Sequence, residues 1–226
     1  MIQRLVTHPK ARALLDHPAV FSGFRFFLVG LQGGTKRWLR AALDAQRPAR
    51  VLDVCCGVGD FAGVVEADYQ GIDLNPRFIA LAQRRYASAP NKQFRIEDAT
   101  RMRYAAGAFD VSLFINAMHH FPEELVRGIL REVARVTRHR VIVLDMEPMR
   151  GHWLQRYVMA CDRGDYARPI AAQQRLLEEY MTIEASEVYS VGLIVQTLFI
   201  CRPRPRPTAP ENVFALAAVK SQVAPG

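Results

Sequence analysis

Three acidic residues follow three short apolar runs in the first half of the chain. Asp53 closes the first run, Asp73 closes the second, and Asp98 follows the third. If these runs are parallel strands, their carboxyl ends meet at one edge of the sheet, where open α/β sheets bind ligands. A carboxylate at Asp73 can accept both hydroxyls of a ribose, and one at Asp98 can receive an adenine amino group. The spacing therefore predicts a nucleoside site.

A glycine-containing turn comes directly after the first run. Residues 51–62 read VLDVCCGVGDFA, an apolar run followed by the turn and then a helical start. Gly57 and Gly59 can adopt backbone conformations that other residues avoid, and they place no side chain between backbone and ligand. We therefore expect a flat, polar cofactor to lie against this turn.

The charge around the turn distinguishes between two kinds of nucleoside cofactor. Gly57, Gly59 and Ala62 also fit the Gly-x-Gly-x-x-Ala dinucleotide pattern, which is weak on its own. Asp53 lies just before the loop, however, and Asp73 follows after a short distance. Carboxylates repel a pyrophosphate and attract a sulfonium or an amino group. This arrangement favours S-adenosylmethionine over NAD.

The elements that must position these residues follow from the hydrophobic periodicity. Residues 1–46 have apolar residues at three- and four-residue spacing, which predicts a helical cap. Beyond residue 46, short apolar runs alternate with helical segments, as in a parallel βαβ sheet. The predicted strands are 51–54, 69–72, 93–96, 111–115, 141–144, 182–189, 195–201 and 213–219. The predicted helices are 61–66, 76–86, 122–136, 153–161 and 169–180, and the Pro-rich segment 202–210 is expected to be a stiff, extended connection.

Length and charge limit the organisation and the partners. The 226 residues suit a single domain, divided into the cap (1–46), a cofactor-binding core (47–148) and substrate-side lid helices with C-terminal strands (149–226). The formal charge of +8 favours anionic partners. The arginines are scattered and have no interleaved aromatic residues for base stacking, so we predict no nucleic-acid partner.

The cysteines predict a reducing compartment. The four cysteines show no CxxC pair and no spacing with histidine that suits zinc, so we predict no metal site. Adjacent Cys55 and Cys56 could form only a strained disulfide. We therefore expect free thiols in a cytoplasmic protein.

Four segments together resemble the class I S-adenosylmethionine-dependent methyltransferases, in the branch that includes the ubiquinone and menaquinone C-methyltransferases. Residues 51–60, 71–75 (GIDLN), 97–99 (EDA) and 109–121 (FDVSLFINAMHHF) are similar to the first to fourth family motifs, and the resemblance covers residues 31–148. It implies a Rossmann-like α/β fold with a seven-stranded, mostly parallel sheet and a reversed final strand. The cofactor contacts that it implies are Asp53, Cys55, Gly57, Gly59, Asp73, Leu74, Asp98, Ala99 and Asn116.

The chain departs from this family pattern at three places. Cys55 replaces the first glycine of the usual Gly-x-Gly-x-Gly. Arg138, His139 and Arg140 replace the common Pro-Gly-Gly turn before the fifth strand. The signatures of the quinone branch after the fourth and fifth strands are absent.

The candidate catalytic residues are His119 and His120, which follow the fourth strand. Histidine has a suitable pKa for deprotonating a methyl acceptor, and the alternative is that both rings only pack and cap the loop. Asp145 and Glu147 could bind a substrate hydroxyl or amine, or could be solvated or hold a loop. Arg163 or Arg168 could clamp an anionic substrate, or belong to a surface salt-bridge network.

These residues predict methyl transfer to an oxygen, nitrogen or carbon of a small, apolar or aromatic metabolite. One alternative is a methyltransferase for a membrane lipid or isoprenoid quinone, with peripheral membrane contact through N-terminal aromatic helices that contain Phe21, Phe24, Phe26, Phe27 and Trp38. Another is a non-catalytic, cofactor-binding partner subunit. The sequence does not indicate an oligomeric state.

Overall fold

The computed structural model describes residues 33–147, 165–191 and 194–204. The first part of the predicted cap, the predicted helix 153–161 and the predicted strand 213–219 lie outside these residues. So do Arg163 and the four phenylalanines of the proposed membrane contact.

The described helices and strands follow one another in the predicted order. The helices are α1 (Gly33–Gln46), α2 (Pro76–Arg85), α3 (Glu123–Val136) and α4 (Ile170–Glu178). The strands are β1 (Arg50–Val54), β2 (Asp68–Asp73), β3 (Lys92–Ile96), β4 (Phe109–Ile115), β5 (Thr137–Met146), β6 (Met181–Val191) and β7 (Ile194–Pro203). Short 3₁₀ turns at Ala62–Val64 and Met118–His120 follow β1 and β4.

The seven strands form one sheet in the order β3-β2-β1-β4-β5-β7-β6. The first five strands are parallel, and β7 pairs antiparallel with both β5 and β6. The strand order reverses beside β1, so the carboxyl ends of β1 and β4 border the crevice in which such sheets bind ligands. The predicted Rossmann-like sheet with one reversed strand is confirmed.

Helices cover both faces of the sheet and create two cores. On one face, α3 and α4 pack on buried strand residues such as Leu52 and Phe114. On the other, α1 and α2 pack on residues such as Val51 and Leu113, and Trp38 packs against this second core. Neighbouring strand residues thus enter opposite cores, as expected for a parallel sheet buried on both sides.

Helix α3 shows how the sequence specifies this layering. Its buried residues recur at helical spacing: Val126, Ile129, Leu130, Val133 and Val136. Glu123 and Glu124 lie in the first turn, where the helix dipole favours negative charge. Burying each aliphatic side chain contributes about 1.5–3 kcal/mol, so this stripe fixes α3 against the sheet.

Three boundaries differ from the sequence prediction. The predicted helix 61–66 is only the 3₁₀ turn at Ala62–Val64, because Val64 and Val65 donate to carbonyls three residues back and β2 follows immediately. Strand β5 begins at Thr137 instead of residue 141. Strand β7 continues through Pro203, so the predicted extended connection begins within a strand; a proline is tolerated there because Pro203 is its last residue.

No helix in the described ranges is both long enough and apolar enough to cross a membrane.

Candidate cofactor and acceptor site

The loop after β1 turns sharply because three of its residues have left-handed backbone conformations. Cys55 has φ 58°, Gly57 has φ 56° and Gly59 has φ 75°. The Cys56 N–H donates to the Ile72 carbonyl at 2.9 Å, which ties the loop to the end of β2. Glycine adopts this conformation without strain, whereas Cys55 adopts it at a conformational free-energy cost of about 1–3 kcal/mol.

Asp73 lies at the end of β2 and holds the loop from the other side. Its Oδ2 accepts a hydrogen bond from the Gly57 N–H at 3.0 Å, and its Oδ1 accepts one from the Asn75 N–H at 2.8 Å. Each carboxylate oxygen can accept a second hydrogen bond. Both oxygens can therefore still receive the hydroxyls of a ribose, as the sequence predicts.

Leu74 presents an apolar surface beside this carboxylate. Its side chain is 63% exposed, and Ile96, which faces Asp73 in the adjacent strand register, is 51% exposed. Two exposed aliphatic side chains next to a ribose acceptor suit the flat face of an adenine. Leu74 was predicted as a cofactor contact, whereas the sequence interpretation missed Ile96.

Asp53 is placed differently from the other two acids. It is 2% exposed, and its Oδ2 accepts a hydrogen bond from the Tyr69 hydroxyl at 2.6 Å. Burial and the Asp53 charge raise the pKa of Tyr69, which keeps the phenol protonated as a donor. Asp53 can therefore act on a bound cation mainly through its charge.

Asp98 and Ala99, although adjacent in sequence, lie in different environments. Asp98 is exposed, and its Oδ1 accepts hydrogen bonds from the Thr100 N–H at 2.8 Å and the Thr100 hydroxyl at 2.7 Å. Its Oδ2 accepts no hydrogen bond from the described part of the chain. The Asp98 carboxylate is therefore oriented through Oδ1 and can offer Oδ2 to a ligand. The side chain of Ala99 packs in the core below α3, so only its backbone can reach a cofactor.

The three carboxylates act together on the loop. Burial raises the pKa of the Cys55 thiol, and the charges of Asp73, Asp53 and Asp98 raise it further. A raised thiol pKa is the effect expected of a negative field at the turn, to which all three acids contribute. Such a field attracts a sulfonium and an ammonium group and repels a pyrophosphate.

Gly59 is required by packing as well as by its φ. A Cβ atom at this position would lie 2.8 Å from Cε1 of Phe94 and 3.2 Å from Cε2 of Tyr86. The sequence interpretation attributed both glycines to ligand approach. The structure gives Gly59 a second role, because it lets the loop pack on the aromatic rings below it.

His119 is held rigidly in the 3₁₀ turn after β4. It is 1% exposed, its Nδ1 hydrogen-bonds to Asp145 Oδ1, and its backbone N–H donates to Asp145 Oδ2 at 3.0 Å. Asp145 also accepts from the Met146 N–H at 2.7 Å. An Asp–His contact of this kind fixes the orientation of the imidazole ring.

His120 lies beside it in a more exposed environment. The two rings are 4.1 Å apart between centroids, and His120 is only partly buried. The structure thus places both predicted histidines at the carboxyl edge of the sheet, after β4, which pairs with β1. Of the two, only His120 is exposed enough to meet a ligand directly in the described structure.

Asn116 joins this region to the reversed strand. It has φ 51°, its N–H donates to the Leu144 carbonyl at 2.7 Å, and its Oδ1 accepts from Gln196 Nε2 at 3.1 Å. The buried Oε1 of Gln196 accepts no hydrogen bond within the described residues. Sequence reasoning missed Gln196 because its contact with Asn116 spans 80 positions and no local pattern marks it.

The other polar candidates have structural contacts. Asp145 and Glu147 are buried, so the idea that they are solvated is wrong; Glu147 Oε2 accepts from the Ile170 N–H at the start of α4. Arg168 donates to the carbonyls of Met118 and Phe121. It therefore braces the histidine turn, while the remainder of the proposed salt-bridge network around Asp162 and Arg163 lies outside the described residues.

No group of three or more His, Cys, Asp or Glu side chains in the described ranges is arranged to hold a metal ion.

The sheet order and the reversed β7 give the chain the fold of the class I methyltransferases, with a carboxylate-lined glycine turn at the point where the strand order reverses. The structure is similar to magnesium protoporphyrin IX methyltransferase from Synechocystis PCC 6803 with bound S-adenosylmethionine, with a TM-score of 0.65 and 15% identity. That similarity covers 90% of this chain and 98% of the other.

Residues 51–140 match the model of the methyltransferase domain family. The matched range runs from β1 to the start of β5. It contains Asp53, Asp73 and Asp98, the three acids around the glycine turn that we call the carboxylate cradle.

Two curated relatives extend this similarity. A phthiotriol/phenolphthiotriol dimycocerosates methyltransferase of Mycobacterium leprae is 38% identical over 97 residues, which cover 39% of this chain and 34% of the relative. A demethylmenaquinone methyltransferase of Chlorobaculum parvum is 31% identical over 114 residues, or 49% of this chain and 45% of the relative. The matched part of the chain thus spans less than half the length of these relatives.

Proposed function

We propose that the chain transfers a methyl group from S-adenosylmethionine to an oxygen, nitrogen or carbon of a small, apolar or aromatic acceptor. The observation that carries this proposal is the left-handed glycine turn, whose Gly57 N–H donates to Asp73, together with Asp53 and Asp98 at or just after the ends of strands β1 and β3, which flank β2. The family match of residues 51–140 supports it independently.

The proposed cofactor roles follow from the position of each side chain. Asp73 accepts the ribose hydroxyls, while Asp98 receives the adenine amino group beside the exposed side chain of Leu74. Gly57 leaves the backbone open to the cofactor, and the buried charge of Asp53 favours the cationic end. Cys55, Gly59 and Ala99 shape the surface through backbone and packing.

When bound, S-adenosylmethionine supplies an electrophilic methyl group on a positively charged sulfur. The chain must orient the acceptor, exclude water and remove a proton where the acceptor carries one. We assign the proton transfer to a ring nitrogen of His120, because it is the more exposed of the two rings. His119, held by Asp145, positions the turn that carries His120.

Binding and turnover can be tested separately. We expect calorimetry to show one S-adenosylhomocysteine site per chain. We also expect transfer of a labelled methyl group to at least one member of a panel of phenols, quinols, amines and carboxylic acids. Binding without transfer to any acceptor would contradict the catalytic part of the proposal.

A second candidate is a methyltransferase for a lipid or isoprenoid quinone. It is favoured by the two relatives, which are named for phthiotriol/phenolphthiotriol dimycocerosates and for demethylmenaquinone. The N-terminal aromatic helices would then contact a membrane surface. Flotation with liposomes should recover the protein with the vesicles, and a protein that stays entirely in the aqueous fractions would remove this candidate.

The third candidate is a non-catalytic partner subunit that binds the cofactor or its product. It shares the carboxylate cradle and predicts binding with no transfer in the acceptor panel. For any of the three we propose a cytoplasmic location, supported by the free thiols of Cys55, Cys56 and Cys201.

A further inference from the structure

A basic cavity lies at the opposite edge of the sheet from the cofactor loop. Its volume is about 600 Å³, and it is formed where β4 and β5 begin, where β7 ends and where the chain passes from α1 to β1. This volume lies in the range of about 300–1,000 Å³ that is typical of small-molecule sites. None of the predicted cofactor or catalytic residues lines this cavity.

The walls of the cavity are strongly basic. Its charged and titratable lining residues are Arg47, Asp110, Arg138, His139, Arg140 and Arg202. Four arginines therefore face one acidic residue. They come from three separate parts of the chain, so the cluster is a product of the fold.

The one acid in the wall is already used by the protein. Asp110 Oδ2 accepts hydrogen bonds from the Ala49 and Arg50 N–H groups at 2.9 and 3.0 Å. Its Oδ1 is 3.4 Å from Arg138 and 4.0 Å from His139. Beyond the wall, Glu184 pairs with Arg140 and Arg202. Within the described residues Arg47 has no acidic partner, so the cavity has an excess of positive charge.

Arg47 also has a strained backbone. Its φ is 45°, and its N–H donates to the Leu43 carbonyl at 2.8 Å at the end of α1. Glycine or asparagine is the usual residue in this left-handed position after a helix. Arg47 thus lines the cavity at a conformational cost, and such strain is found preferentially at functional sites.

Two sequence features that methyl transfer does not use meet at this cavity. Arg138, His139 and Arg140 replace the family's Pro-Gly-Gly turn, and Arg202 is the first arginine of the Pro-rich segment. Both features bring cationic side chains to the same place. The guanidinium group is well suited to phosphate because it presents parallel N–H donors.

We propose that this basic cavity binds a small anion that carries two or more phosphate groups. Several arginines that line one open cavity match clustered phosphates better than a single charge. No aromatic residue is among those that line the cavity, so it offers no stacking surface for nucleic-acid bases. The site is independent of the proposed methyl transfer.

The test uses tripolyphosphate as the probe and the full-length protein. Calorimetry should show one site for tripolyphosphate, with an affinity that decreases as the NaCl concentration rises. Arg47→Gln/Arg138→Gln should weaken this binding at least about tenfold. The matched control Arg84→Gln/Arg131→Gln removes two exposed arginines elsewhere and should change it less than about twofold. The larger change is expected because the first double variant removes charge-assisted hydrogen bonds to the probe. The control variant removes only distant charges that salt screens.

Thermal melting and S-adenosylhomocysteine binding show whether each variant is folded, and both should match the wild type. If the first double variant unfolds, Arg140→Gln/Arg202→Gln replaces it with the same expectation. No tripolyphosphate binding, or equal weakening in the control variant, would overturn the proposal. So would arginine-dependent binding of phosphatidylglycerol vesicles or a short oligothymidine without tripolyphosphate binding, because the partner would then be a membrane or a nucleic acid.

Discussion

The Asp73 carboxylate connects the cofactor loop to the end of β2, and it is also the proposed ribose acceptor. Asp73→Ala should weaken S-adenosylhomocysteine binding by about 2–4 kcal/mol, because two charge-assisted hydrogen bonds to the ligand are lost. The measurement is calorimetry at constant salt. Asp68→Ala is the matched control, since Asp68 is an exposed acid at the other end of the same strand.

Asp68→Ala should leave the dissociation constant unchanged. An unchanged constant for Asp73→Ala would show that the ribose is bound elsewhere.

His119 and His120 are adjacent but lie in different environments, and they should differ when replaced. His120→Gln should lower kcat by about 10²-fold or more with little effect on cofactor binding, because a general base contributes about this much. His119→Gln should lower the free energy of unfolding by about 1–3 kcal/mol, because it disturbs the buried contact with Asp145. Chemical denaturation and steady-state kinetics of both variants separate these effects.

The opposite pattern, with full activity in His120→Gln, would mean that His120 only packs in the turn.

The buried thiol of Cys201 makes stability depend on alkaline pH. Burial, and to a lesser extent the Glu184 charge, raises the pKa of Cys201 from 9.0 to about 12. The protonated thiol therefore contributes stability that is complete below pH 9 and is lost as the pH rises towards 12. The expected slope is about 1.4 kcal/mol per pH unit, because the unfolded chain releases this proton and the folded chain retains it.

Urea denaturation of wild type and Cys201→Ser between pH 8 and about 10.5 tests this slope. The wild type should lose stability more steeply than the variant above pH 9. Parallel curves would mean that the thiol titrates normally in the folded protein.

The loop after β1 depends on its contact with the aromatic residues below it. Gly59→Ala should destabilise the protein by about 1–3 kcal/mol, since the new Cβ would meet Phe94 at 2.8 Å in a left-handed conformation. Gly34→Ala in α1 is the control, because nothing lies within 4 Å of its Cβ position. Thermal and urea denaturation of both variants measure the difference.

Adding Phe94→Leu to Gly59→Ala should recover part of the loss, since it removes the ring atoms that the new Cβ meets. A Gly59→Ala variant as stable as Gly34→Ala would mean that the loop packs differently.

The sheet could be predicted from sequence because each strand carries its own signal. The run from Val51 to the glycine turn and the apolar stripe of α3 are local patterns with clear periodicity. The boundaries that failed depend on tertiary contacts. Strand β5 begins early because Phe109 pairs with Thr137 across a register shift, and a pairing of this kind leaves no local pattern in the sequence.

More of the cofactor side of the site than of the acceptor side could be predicted from the sequence. Strand ends locate Asp53, Asp73 and Asp98 at one edge, so topology alone brings the acids together. The burial of Asp53 against Tyr69 and the contact between Asn116 and Gln196 arise between distant segments. For the same reason, the sequence alone could not separate the buried His119 from the more exposed His120.

The two edges of the sheet carry opposite charge. Carboxylates lie at the carboxyl edge around the glycine turn, whereas arginines lie at the amino edge around the basic cavity. A net charge of +8 therefore coexists with a negative cofactor cradle. This separation lets one domain receive a cation at one edge and an anion at the other.

The account as a whole depends on the kind of nucleoside that the cradle accepts. The most direct test is calorimetric titration of the wild-type protein with S-adenosylhomocysteine and, separately, with NADH. We predict one site for S-adenosylhomocysteine, and Asp73→Ala should weaken binding at this site. Any binding of NADH should be unaffected by Asp73→Ala. Binding of NADH at the cradle in place of S-adenosylhomocysteine would contradict the account.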